Sequence, residues 1–108
     1  MLVELDLYSG RPNPRWQLDS RAAGEFRTMT DSLAAADAAR PPLPAPGLGY
    51  RGFTVVDGDR TVRVFGGRVE LGADQRADPG RTVERWLLDR LPPPLSHLRA
   101  LVAAAIDG

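Results

Sequence analysis

The fold of this chain is decided by the stretch Tyr50-Arg51-Gly52-Phe53-Thr54-Val55-Val56-Asp57-Gly58-Asp59-Arg60-Thr61-Val62-Arg63-Val64-Phe65. Its two halves, 50–56 and 61–65, are rich in β-branched and aromatic residues, which favour strands. The run 57–60 between them contains the Asp-Gly pair that is typical of a tight hairpin turn. These features predict an antiparallel hairpin. Gly66-Gly67 then predicts a bulge or bend, after which 68–71 continues as strand.

A second hairpin is predicted at the N-terminus. Residues 2–8 alternate between apolar and polar side chains, which is the period of a half-buried strand, with Val3, Leu5 and Leu7 on one face. Residues 15–18 alternate in the same way. Each hairpin is followed by a segment with helical spacing, so we expect strand pairs and helices to follow one another along the chain.

Three segments have the apolar spacing of helices. The first is predicted over 20–39, with Asp19 or Ser20 as its N-cap. The second starts at Asp78-Pro79 and is stopped by the prolines at 92–94, and the third covers 95–107. The apolar stripe of the first helix is the longest of the three: Ala22, Phe26, Met29, Leu33 and Ala36.

This order of elements predicts an α+β fold in a single domain, 1–108. We expect a two-layer sandwich, with an antiparallel sheet of about four strands in two hairpins and two to three helices on one face. The proline-rich run 40–49 is interpreted as a stiff connector from helix to sheet. Its alternative is a ligand for a partner that recognises proline-rich segments.

Composition narrows the classes of function. All fourteen basic residues are arginine, and fourteen acids balance them along the chain, so we expect no nucleic-acid binding. The absence of cysteine excludes disulfides, thiolate catalysis, iron–sulfur ligation and sulfur-ligated zinc. No apolar run follows a basic N-terminus, and the longest mostly apolar run, 98–106, is far shorter than a membrane span. We therefore expect a cytoplasmic protein with no membrane partner.

Catalytic and metal-binding residues are few. His97 is the only histidine, and its place in the apolar C-terminal segment favours a helix-surface residue over a general base. Asp57 and Asp59 alone are too few oxygen ligands for a calcium loop and are better explained by the turn. The sequence therefore predicts no catalytic residue, no metal and no cofactor.

The loop that joins the first two strands is the candidate binding element. Pro12 and Pro14 fix their own φ angles and hold the residues before them in extended geometry, so the loop is predicted to be rigid. In the structural alternative, Arg11 pairs with a nearby acid and the prolines only set a hairpin connection. The candidate binding residues are Tyr8, Ser9, Gly10, Arg11, Asn13, Trp16 and Arg51.

The run Ser9-Gly10-Arg11-Pro12-Asn13-Pro14, followed by Trp16, resembles a family of short, uncharacterised proteins from GC-rich bacteria of actinobacterial or myxobacterial type. The segments 48–53 and 84–88 are similar to the same family. The resemblance covers most of the chain and implies no activity, cofactor or partner.

Two hypotheses of function follow. The first is a non-enzymatic binding or accessory module, which holds a peptide or protein partner through the 9–14 loop and the adjoining sheet, with strand addition as one mode. The second is a small enzyme that acts on an anionic or polar small molecule, with Arg11 or Arg51 to orient it and a carboxylate as base. The apolar segment 95–107 also suggests a homodimer. Its alternative is that the proline break at 92–94 folds this helix back against Trp86 and Leu87 of its own chain.

Overall fold

The computed structural model describes residues 1–8, 12–36, 43 and 49–108. It is an α+β sandwich, as predicted, with one antiparallel sheet in the order β2-β1-β3-β4-β5-β6. The six strands are β1 (Leu2–Leu5), β2 (Arg15–Gln17), β3 (Phe53–Asp57), β4 (Arg60–Phe65), β5 (Arg68–Leu71) and β6 (Asp74–Ala77). The helices are α1 (Ser20–Asp31), α2 (Thr82–Leu88) and α3 (Arg99–Asp107). Single 3₁₀ segments, Pro79–Arg81 and Pro93–Leu98, precede α2 and α3.

The sheet has six strands rather than about four, because Gly66-Gly67 is a turn and not a bend. Both glycines have positive φ, 63° and 86°, and Phe65 pairs directly with Arg68. Two successive residues with positive φ give the type of two-residue turn that matches the twist of a hairpin, and glycine adopts them without strain. Residues 68–71 therefore form β5, antiparallel to β4. A further turn at Gly72 adds β6.

The first helix ends eight residues earlier than its apolar spacing predicts. Arg76 donates a 2.8 Å hydrogen bond to the carbonyl of Thr30 in the last turn of α1. The chain then runs beside β6, where the Ala36 N–H donates to the carbonyl of Gln75 and the Ala77 N–H donates to that of Ala34. Residues 34–36 therefore form hydrogen bonds with the edge of β6 instead of extending α1. Positions 37–39 of the predicted helix lie outside the described residues.

The core lies between the helices and one face of the sheet, here called the inner face. The strand registers place Val3, Val55 and Val62 in one row across the inner face, and Leu5, Phe53, Val64 and Val69 in the next. Phe26 of α1 is fully buried against them, as predicted, whereas Met29 and Leu33 are only partly buried. The helices contribute a further buried set: Val83, Leu87, Leu88, Val102 and Ile106.

The second helix begins with the predicted Asp78-Pro79 signal, but one 3₁₀ turn later than expected. The Asp78 carboxylate accepts hydrogen bonds from the backbone N–H groups of Val83 and Glu84, so it caps the first turn of α2 across the intervening Pro79–Arg81 segment. α3 likewise begins after a 3₁₀ segment, and it packs along α2. No helix in the described ranges combines the length and apolar character needed to cross a membrane.

Candidate binding surface

Asn13 holds the two ends of the 9–14 loop together. Its side-chain Oδ1 accepts hydrogen bonds from the backbone N–H groups of Leu7 at 3.1 Å and Tyr8 at 2.7 Å. Its Nδ2 donates to Glu4 at 3.0 Å. Because β1 ends at Leu5, these N–H groups lie beyond the strand ladder and need another acceptor. The asparagine amide is therefore occupied within the protein.

The other predicted binding residues are dispersed. Trp16 is buried in the core and packs edge-on against Phe53, with ring centroids 6.3 Å apart, so it does not flank the loop at the surface. Tyr8 is half-buried against the core. Arg51 is half-buried, donates its backbone N–H to Asp6, and makes no side-chain hydrogen bond or ion pair within the described part of the chain. Ser9, Gly10 and Arg11 lie outside the described residues.

The two edges of the sheet differ in how their backbone groups are used. Just beyond the two ends of β2, the N–H of Leu18 donates to the carbonyl of Met1, and the carbonyl of Pro14 accepts from the N–H of Leu5. In an antiparallel pair the hydrogen-bonded residues alternate along the strand, so the backbone groups of Trp16, midway between them, also face β1. The backbone groups of Arg15 and Gln17 must then face away from the sheet, and no described residue covers them. The β6 edge, by contrast, is covered by residues 34–36.

A row of polar side chains crosses the other side of the sheet, here called the outer face. The registers align one residue from each strand in the order Arg15, Glu4, Thr54, Arg63, Glu70 and Gln75. At one end of the row, Arg15 Nε lies 2.9 Å from Glu4 Oε1. Nearer its middle, Arg63 Nη1 lies 4.0 Å from Glu70 Oε1. The alternation within each strand marks these residues as outward-facing, but only the register shows that they meet.

Asp6 is a buried carboxylate beside this row. Thr54 Oγ1 donates a 2.7 Å hydrogen bond to Asp6 Oδ2. Burial raises the pKa of Asp6 above its ordinary value, and this outweighs the lowering effect of the Thr54 hydrogen bond. The Thr54 hydroxyl therefore donates to a carboxyl group whose burial disfavours the charged form.

Leu43 lies on the outer face against Arg63 and Glu70. Its backbone N–H donates a 2.7 Å hydrogen bond to Glu70 Oε2, and its carbonyl accepts a longer one, 3.5 Å, from Arg63 Nη1. Only 7% of Leu43 is exposed. The sequence alone indicates no role for Leu43 beyond the connector, because its partners are more than 19 positions away along the chain.

A second polar cluster, also missed by sequence analysis, surrounds the fully buried Glu84. The carboxylate accepts hydrogen bonds from the Tyr50 hydroxyl, from the Gly66 N–H at 3.0 Å, and from Arg81 Nε and Nη2 at 2.8 Å each. Arg81 also donates to the carbonyl of Ile106 and stacks over the Phe65 ring. Burial, followed by the charge of Glu84, raises the pKa of Tyr50 well above its ordinary range. The cluster joins the sheet to α2 and the end of α3.

Two grooves follow the seam between α1 and α2. One, of about 330 Å³, is lined partly by Met29, Leu33 and Asp78, and the other, of about 550 Å³, by Gly24, Met29 and Trp86. Burial raises the pKa of Asp78, but its carboxylate oxygens are taken by α2. Neither groove combines an arginine with a carboxylate of shifted pKa. Within the ranges that the structure describes, no three His, Cys, Asp or Glu side chains are grouped as a metal site would require.

Comparisons with protein-family models, with curated proteins and with solved structures find no match to this chain.

Proposed function

We propose that this protein is a non-enzymatic module that binds an extended peptide segment of a protein partner by strand addition at β2, beside the 9–14 loop. The observation that carries the proposal is the difference between the two sheet edges: residues 34–36 cover β6, whereas the outward backbone groups of Arg15 and Gln17 are left uncovered by the described residues. An uncovered edge is a template for another strand, and its backbone groups supply affinity without requiring a particular sequence.

Side chains near the edge can add selectivity. Arg15 is 60% exposed although it contacts Glu4, and Gln17 is exposed on the same face. Arg51, whose backbone N–H donates to Asp6 just beyond the end of β1, carries a guanidinium that has no partner in the described ranges, and Arg11 belongs to the loop between β1 and β2. An arginine fork can bind a carboxylate or a peptide carbonyl through two donors. We therefore propose that Arg11 and Arg51 orient the peptide, with Tyr8, Ser9, Gly10 and Asn13 shaping the loop.

The test of strand addition uses Gln17→Pro, with Gln17→Ala as its matched control. Proline removes the outward N–H of residue 17 and leaves the hydrogen bonds between β1 and β2 intact. Edge strands tolerate proline at positions such as this one, where the N–H points away from the sheet. Short random peptides displayed on phage are selected on the full chain and then measured against both variants. We expect the selected peptides to bind Gln17→Ala normally and to lose at least tenfold in affinity for Gln17→Pro. No enrichment, or equal binding to both variants, contradicts the proposal.

The loop is tested with the same peptides and Arg11→Ala. We expect weaker peptide binding with a melting temperature close to that of the parent, because surface substitutions usually change stability by about 0.5 kcal/mol or less. If the contact is bidentate, Arg11→Lys will not restore binding. Strong destabilisation without loss of peptide binding would instead give Arg11 a structural role.

We further propose that the protein acts in the cytoplasm and forms a homodimer through 95–107. α3 buries Val102 and Ile106 within its own chain but leaves Leu101 54% exposed. A two-fold contact would cover this leucine. Light scattering at several concentrations should give twice the mass of one 11.7 kDa chain. Leu101→Arg should return the mass to that of one chain, and a single-chain mass throughout would refute the dimer.

A further inference from the structure

The Arg63–Glu70 pair is unusually enclosed for side chains on the open face of a two-layer sandwich. Their side chains are only 19% and 15% exposed. None of the described helices covers the outer face, and other residues on it, such as Thr61 and Gln17, are exposed. Leu43 lies against the pair with both of its backbone polar groups bonded to it. The enclosure therefore coincides with a backbone contact from a distant part of the same chain.

The sequence around Leu43 offers Glu70 a single backbone donor. In the run Pro41-Pro42-Leu43-Pro44, proline has no N–H, so Leu43 carries the only backbone donor of the four residues. Glu70 accepts that donor at 2.7 Å. A carboxylate that accepts from a backbone N–H makes a short, charge-assisted hydrogen bond, stronger than one between neutral groups. Glu70 thus accepts the single backbone N–H of a proline-rich run.

From this geometry we propose that Arg63 and Glu70 form a binding site for proline-flanked leucine peptides, which Leu43 of the same chain occupies. Glu70 accepts the lone N–H, Arg63 donates to the carbonyl of the same residue, and the leucine side chain is buried on the outer face. A peptide of the same chemistry competes with Leu43 for the site. The proposal does not rest on strand addition at β2, because Arg63 and Glu70 belong to β4 and β5.

The test uses a synthetic peptide with the sequence of residues 40–46, Arg-Pro-Pro-Leu-Pro-Ala-Pro, and the full chain carrying Leu43→Pro. The variant removes the internal N–H, so the site is vacated and the peptide should bind at least tenfold more tightly than to the parent chain in calorimetry. Adding Glu70→Ala should abolish that binding, and Glu25→Ala, a matched glutamate on α1, should not. The same peptide with proline in place of leucine lacks the N–H and should not bind.

The proposal is overturned if a folded Leu43→Pro chain does not bind the peptide, or if binding persists after Glu70→Ala is added. If Leu43→Pro does not fold, amide hydrogen exchange of Leu43 in the parent chain provides the second measurement. Excess peptide should accelerate that exchange about tenfold, while the proline-substituted peptide leaves it unchanged. An exchange rate that is the same with and without peptide overturns the proposal equally. Gln17→Pro should leave the binding intact, which separates this site from the β2 edge.

Discussion

Replacing Glu84 with glutamine should be among the most destabilising conservative changes in this protein. The carboxylate is fully buried and accepts four hydrogen bonds from Tyr50, Gly66 and Arg81. Glutamine has the same shape, but its amide places an NH₂ group where a donor already points, and it removes the charge that compensates Arg81. The Arg81 side chain is only 25% exposed, so water cannot fully replace the lost partner.

The expected cost is about 3–5 kcal/mol, the range for removing one partner of a buried ion pair. This is a large fraction of the roughly 5–15 kcal/mol by which domains are stable. For a chain of 108 residues, each kcal/mol corresponds to about 4 °C, so the melting temperature should fall by roughly 12–20 °C. Urea unfolding followed by circular dichroism measures the free energy directly.

The matched control is Glu25→Gln on α1. Glu25 is 43% exposed and its contacts with Arg21 and Arg90 are 3.6 and 3.4 Å long, so its loss should cost about 1 kcal/mol or less. An Arg81→Met/Glu84→Gln double variant should recover part of the stability, because it leaves no buried charge unpaired. A Glu84→Gln chain as stable as the Glu25→Gln chain would refute the structural role of the cluster.

Four further predictions concern the core, the loop and the dependence of stability on pH. Phe26→Ala should cost about 3–5 kcal/mol in urea unfolding, since Phe26 is fully buried, and a variant as stable as the parent would contradict the orientation of α1. Asn13→Ala should cost about 1–3 kcal/mol by leaving the Leu7 and Tyr8 N–H groups without an acceptor, whereas Gln17→Ala should cost little. Burial raises the pKa of Asp6, so its contribution to stability is complete below the unfolded pKa and is lost as pH rises through the folded pKa. The melting temperature of Asp6→Asn relative to the parent should therefore increase as the pH rises above 3.8, the ordinary pKa of an aspartate. Arg27 lowers the pKa of Asp57, so Asp57→Asn should show the opposite trend, with its deficit largest at neutral pH and vanishing in acid.

Local signals predicted the elements whose geometry depends on nearby residues. The Asp-Gly pair correctly placed the turn between β3 and β4, and the alternation of residues 2–8 correctly placed Val3 and Leu5 in the core. Gly66-Gly67 was ambiguous because two glycines are compatible with a bulge or with a tight turn. The antiparallel pairing of β4 with β5 shows that the two glycines form a tight turn. That pairing depends on side chains that pack across the whole sheet, which the local sequence does not show.

The end of α1 could not be predicted from spacing, because Leu33 and Ala36 continue the helical period. The competing structure is the β6 edge, whose carbonyl of Gln75 accepts from the Ala36 N–H. That edge exists only because the sheet has two more strands than predicted. One error in the sheet therefore caused the error in the helix. The same dependence hid the Glu84 cluster, since its donors come from positions 50, 66 and 81.

The loop motif shows how a conspicuous sequence can combine two roles. The sequence predicts Asn13 as a recognition residue, yet its amide closes the neck of the loop by bonding to Leu7, Tyr8 and Glu4. This does not remove the loop from the proposed binding surface. The closed neck fixes where the loop leaves the sheet, beside the edge of β2 that no described residue covers. A peptide added to β2 would therefore meet a loop whose base is already ordered, and less conformational entropy would be lost on binding.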